Sequence, residues 1–296
     1  MGFAETASAT TNAQSAAGQL VVGSAQSSNS GIESGYIPGV SELAATTTLH
    51  YLAEVTWNMV SVPLIVADPR KTSLYPTAVS AAFAYAESYQ QRDTLENLVG
   101  YWIKFPAAKT VEFTGAVITK DTASVSNSWN MIGCLSYPVS ISGIVPVGTT
   151  VASGYFGYSS AAGYYDEDTL KPGRAYWVKV IGAGGLEMTA GSVMIASSVP
   201  SSVTMKPDNN RAGHPEALVE LSTLTIGNAA GEVRTLYFSS TVLDIDLGRY
   251  ELPPPSPAFD VRFTTNRMLE MAERRQAKEV GIRISSDEYP LSLSWK

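Results

Sequence analysis

The chain has 296 residues, of which 45% are hydrophobic and only 16% charged, with a formal net charge of −7. That length admits about two domains with real cores, and a charged fraction well under the usual ~25% leaves Ser, Thr, Asn, Gly and Tyr to supply the polar surface, a profile of secreted β proteins. The few Lys and Arg are scattered, which excludes a basic stripe for nucleic acid, and no run of 18 apolar residues exists to cross a membrane as a helix.

Residues 1–48 are rich in Ser, Ala, Thr and Gly. They read as a lead-in of linker composition with two short strand candidates, Gln19–Gly23 and Ile32–Ile37. Met1-Gly2-Phe3-Ala4-Glu5-Thr6 carries neither a basic n-region nor an apolar h-region. The start is therefore not a signal peptide, and the expectation is a piece of a longer exported chain. The one cysteine, Cys134, permits no intrachain disulfide. It lies in the apolar run Trp129–Leu135 and reads as a buried core thiol.

Next comes an internal repeat. Trp57-Asn58-Met59-Val60 recurs as Trp129-Asn130-Met131-Ile132, 72 residues on. Phe83-Ala84-Tyr85 recurs as Phe156-Gly157-Tyr158 after 73 residues. Asp93-Thr94-Leu95, Tyr101-Trp102-Ile103-Lys104 and Val111-Glu112-Phe113-Thr114 recur after 75 as Asp168-Thr169-Leu170, Tyr176-Trp177-Val178-Lys179 and Leu186-Glu187-Met188-Thr189. Five matches in one order define β-rich units over 49–120 and 121–199, with strands at the alternating, β-branched and aromatic stretches. Ala78–Phe83 lacks helix breakers and predicts a helical turn between Leu74 and Gln91.

Residues 200–296 form a third section. Strands are expected at Leu218–Leu221, Arg234–Phe238, Phe259–Phe263, Ile282–Ser285 and Leu291–Trp295. Pro253-Pro254-Pro255-Ser256-Pro257 is an extended connection. Met268–Val280 has helical spacing and predicts a short helix or a polar excursion. The expected fold is all-β, a tandem β-rich repeat followed by a β-sandwich-like C-terminal domain.

The repeated Trp-Asn-Met and Tyr-Trp-Val-Lys elements resemble modules of secreted proteins from the Bacteroidetes–Chlorobi group. The stretch Tyr250-Glu251-Leu252-Pro253-Pro254-Pro255, then Ala258–Phe263, and finally Tyr289–Trp295, is similar to a segment of those proteins that often precedes a type IX secretion sorting domain. The resemblance covers roughly residues 20–296 and implies an extracellular or cell-surface protein, but no chemistry.

Candidate chemistry is sparse. The two histidines, His50 and His214, stand outside any Gly-x-Ser-x-Gly elbow, and no His/Cys cluster has zinc spacing. Gly182-Ala183-Gly184-Gly185 lies between two strands and reads as a hairpin turn. Asp166-Glu167-Asp168 offers oxygens for calcium, with Asp166 and Asp168 as candidate ligands. The matching Gln91-Arg92-Asp93 keeps one acid, so an Asp bonding its own backbone at a turn is the simpler expectation. Asp244 and Asp246 read as a polar loop. Tyr155, Tyr158, Tyr164 and Tyr165, with Tyr85 and Tyr89 as repeat counterparts, are the candidate platform for sugar rings. Trp57, Trp102, Trp129 and Trp177 read as core.

Three functions follow. One is a non-catalytic structural or adhesion module of a larger exported protein, meeting other surface proteins or glycans. Another is a carbohydrate-binding module that uses the Tyr155–Tyr165 cluster. The third is a glycoside hydrolase with an unrecognised carboxylate pair.

Overall fold

The computed structural model describes residues 46–191, 221–239, 247–271 and 278–296, all within the compact unit Ala45–Lys296. The strand candidates Gln19–Gly23, Ile32–Ile37 and most of Leu218–Leu221 lie outside the described residues, as do His214, Asp244 and Asp246.

The fold is all-β. Residues 46–117 form β1 (Thr46–Ala53), β2 (Thr56–Val60), β3 (Leu64–Val66), β4 (Ala82–Ala86), β5 (Ser88–Arg92), β6 (Tyr101–Phe105) and β7 (Lys109–Val117), with one helical turn, α1 (Lys71–Leu74). They build two sheets, ordered β1-β7-β3 and β2-β6-β4-β5. Residues 120–189 form β8 (Lys120–Val125), β9 (Ser128–Ile132), β10 (Val139–Ser140), β11 (Val145–Val147), β12 (Thr150–Val151), β13 (Tyr155–Ser159), β14 (Gly163–Glu167), β15 (Thr169–Leu170), β16 (Tyr176–Ile181) and β17 (Gly184–Thr189). Their main sheets run β8-β17-β11 and β9-β16-β13-β14, the same strand order.

The register agrees as well. Asn58 stands opposite Ile103 and Met59 opposite Trp102; Asn130 stands opposite Val178 and Met131 opposite Trp177. Each Asn holds the turn that enters its strand. The Asn58 Oδ1 accepts from the Glu54 N–H at 2.8 Å, and its amide donates to the Glu54 and Thr56 carbonyls. Asn130 makes the same three bonds to Ser126 and Ser128. These bonds hold Thr56 and Ser128 at φ of 72° and 86°, a left-handed conformation that side-chain-bearing residues seldom adopt.

Alternation places the cores between the sheets. In β7, Val111 and Phe113 point inward to meet Tyr75, Phe105 and Leu64. The second half buries Leu135, Leu170, Tyr176, Val178, Leu186 and Met188, with Cys134 among them. Burial pushes the Cys134 thiol up to about 12, consistent with a packing role. The hairpin expected at Gly182–Gly185 is corrected: β16 and β17 are consecutive but belong to different sheets, so Gly182 (φ 85°) and Ala183 form a turn that carries the chain from one sheet to the other.

Two helix expectations are corrected. Ala82 and Phe83 belong to β4, which lies between β5 and β6, so sheet hydrogen bonding overrides the helix preference of the alanines; the helical turn falls earlier, at Lys71–Leu74. Leu269–Met271 is β21, parallel to β19 (Val233–Ser239). Of the charges that gave helical spacing there, Glu270 and Lys278 pair: the Glu270 carboxylate accepts from Lys278 at 2.8 Å and from the Thr265 hydroxyl. Residues 272–277 lie outside the described residues.

The C-terminal section stacks two sheets. One runs β21-β19-β18-β23, with β18 (Ser222–Gly227) and β23 (Ser292–Trp295); the other pairs β20 (Asp260–Phe263) with β22 (Ile282–Ser285). Ile226, Leu236, Phe259, Val261 and Phe263 fill the space between them, a sandwich-like core.

Candidate functional site

The two halves meet along a local twofold. Ser61 N–H donates to the Gly173 carbonyl at 3.0 Å, and Gly133 N–H to the Leu98 carbonyl at 2.8 Å. Gly100 N–H donates to Met131, and Ala175 N–H to Met59. Each bond has a counterpart with the halves exchanged, as in an isologous interface. Near the axis, matched residues approach each other. A Cβ on Gly100 would stand 2.7 Å from Ala175 Cβ, and one on Gly133 would stand 2.7 Å from Ser61 Cβ. Both distances are too short, so glycine at 100 and 133 is what lets the backbones close.

Aromatic side chains complete the junction. Trp102 meets Tyr158 edge-on at 4.7 Å, and Trp177 meets Tyr85 edge-on at 4.8 Å. Both tryptophans are 0% exposed. Trp57 packs on Phe83, and Trp129 on Phe156. The preferred edge-to-face geometry adds to the large apolar area each ring buries.

The four candidate tyrosines do not form one platform. In the β13–β14 hairpin Tyr158 pairs with Tyr164, and Gly157 with Tyr165. Alternation puts Tyr155 and Tyr165 on one face and Tyr158 and Tyr164 on the other. Tyr155 is buried in the second half's core. Tyr165 lies over Gly157, where a Cβ would stand 2.6 Å from its ring, and its hydroxyl accepts from Arg174 at 3.1 Å. Tyr158 and Tyr164 face the aromatic junction. A sugar-stacking surface needs exposed rings on one side; this arrangement splits the four between two faces and buries Tyr155 and Tyr158, with Tyr164 and Tyr165 half-buried. Burial pushes the Tyr158 and Tyr164 hydroxyls upward, with the neighbouring Arg234 guanidinium pulling Tyr158 the other way.

Asp166 sits on β14 opposite Phe156, while the Asp168 carbonyl accepts from the Ile141 N–H at 2.9 Å. Asp93 uses its carbonyl in the same way, toward Lys71. Among the described residues no three His, Cys, Asp or Glu side chains converge to hold a metal. His50 is exposed on β1, 3.9 Å from Glu112.

The C-terminal section closes over the junction. Arg234 on β19 donates to the Tyr158 hydroxyl at 3.0 Å and to the carbonyls of Phe259, Ser160 and Ala161. Glu251 accepts from Lys179 at 2.7 Å and from the Trp129 indole at 3.3 Å. Arg262 is fully buried and grips Asp260 with two nitrogens, while its third reaches the Pro253 carbonyl at 2.6 Å. The Tyr164 hydroxyl donates to the Pro254 carbonyl at 2.9 Å, and the Tyr89 hydroxyl to the Pro255 carbonyl at 2.7 Å. Tyr158, Tyr164, Arg234, Ser256, Phe259 and Asp260 line a cavity of about 40 Å³, room for a few waters at most.

Sequence reading did not single out Arg234, Asp260, Arg262 or Glu251. Tyr89 and Tyr164 did carry a signal, since they are separated by the same 75 residues as Trp102 and Trp177. Comparison with known proteins returned no matching family model, no matching curated protein and no matching solved structure.

Proposed function

We propose that the chain is a non-catalytic structural or adhesion module of a larger exported bacterial protein, displayed outside the cell. On this reading residues 46–191 are two copies of one module, packed as an internal dimer and capped by the C-terminal section. The observation that carries it is the inward use of the aromatic groups: Trp102, Trp177, Tyr85, Tyr158 and Tyr164 are all engaged in joining parts of the chain. A scaffold spends its side chains in this way, whereas a sugar-binding face leaves them outward. The likeness of the Trp-Asn-Met, Tyr-Trp-Val-Lys and Leu-Pro-Pro-Pro stretches to type IX-secreted proteins supports the location and a route through that system.

Two measurements test this. Protease treatment of intact host cells is expected to remove the protein, and survival of the protein until lysis contradicts surface display. A glycan array with the purified chain is expected to show no saturable signal dependent on Tyr164. Saturable binding that Tyr164→Phe abolishes, with the fold intact by circular dichroism, makes the protein a carbohydrate-binding module instead.

A further inference from the structure

We propose that the cleft between Tyr89 and Tyr164 is a recognition site for proline-rich extended segments, and that the chain's own Pro253–Pro257 is its resident ligand. The two tyrosines come one from each half, at matched positions on β5 and β14. Their hydroxyls donate to the carbonyls of consecutive residues, Pro254 and Pro255. The rings beside them, Tyr85, Tyr158 and Trp102, belong to the aromatic junction, on which Ala258 also packs.

Proline suits this cleft for a physical reason. At the buried Pro253 any other residue would bring a backbone N–H that needs an acceptor, while Pro254 is half-buried and Pro255 exposed. Proline offers only a carbonyl and an apolar ring, with φ already fixed, so little ordering entropy is lost on docking. Aromatic walls with hydroxyl donors to carbonyls are a general way of reading such segments. The third carbonyl, Pro253, is held by Arg262 from the C-terminal section itself, so the segment is gripped from both sides. The inference goes beyond the scaffold reading and holds wherever the protein resides.

The test opens the cleft in the full chain. A variant carrying Pro253→Gly, Pro254→Ser and Pro255→Gly is titrated with a synthetic peptide covering residues 250–258, followed by tryptophan fluorescence. Saturable binding is expected, weakened about tenfold or more when Tyr89→Phe and Tyr164→Phe are added, since two hydroxyl bonds are lost. A folded opened chain that binds no peptide overturns the proposal, as does binding indifferent to the two tyrosines. If the opened chain does not fold, the intact chain decides. Tyr89→Phe/Tyr164→Phe is expected to speed cleavage after Glu251 by a Glu-specific protease about tenfold. Unchanged cleavage means that the segment is held by its own domain alone.

Discussion

Trp102→Ala is expected to destabilise the protein by about 3–5 kcal/mol, the range for removing a large aromatic from a packed interior. The ring is 0% exposed and sits edge-on to Tyr158 of the other half, with Tyr164 6.5 Å away. Truncation therefore opens a cavity between the halves, and neither sheet can collapse into it without breaking the paired backbone bonds nearby. Trp177→Ala is expected to cost a similar amount through Tyr85. Trp295, 78% exposed on β23, is the control: its alanine variant is expected to stay within about 0.5 kcal/mol of the parent. Guanidinium denaturation at equilibrium checks all three. A Trp102 cost near that of Trp295 contradicts the packing account.

Arg262→Ala is expected to cost about 3–5 kcal/mol, for an electrostatic reason. Removing the guanidinium leaves the Asp260 carboxylate, itself buried, without its partner, and strips the Pro253 carbonyl of its donor. Deleting both charges should do less harm than deleting one. Arg262→Met combined with Asp260→Leu is expected to recover most of the loss, because the uncompensated buried charge is gone. Urea denaturation of the single and double variants checks the sign. A double variant no more stable than Arg262→Ala contradicts it.

The all-β class was legible because its signal is local. In β7 the inward Val111 and Phe113 alternate with outward Glu112 and Thr114, and that period is written in four consecutive residues. The Trp-Asn-Met and Tyr-Trp stretches do fall on adjacent paired strands, β2 with β6 and β9 with β16. The helix expected near Ala78–Phe83 failed because alanine's helix preference, though the strongest of any residue, is small per residue, and pairing with the neighbouring β6 overrode it. The tyrosine cluster failed as a platform for a different reason. Its division between faces follows from the hairpin register, which depends on where the Ser159–Gly163 turn falls. The burial of Tyr158 follows from Trp102, more than fifty residues away in the chain. The closure by Arg234, Glu251 and the proline segment joins residues about 70 to 170 apart, and no local pattern encodes it.

The central claim is that the two halves form one rigid body through their paired contacts. Native-state hydrogen exchange at four amides tests it most directly: Ser61, Gly100, Gly133 and Ala175, which donate across the junction. The account predicts that all four exchange as slowly as the Trp102 and Trp177 amides inside the sheets, opening only with global unfolding. Fast exchange at these four while the sheet amides stay protected means that the halves move independently, and the account is then wrong.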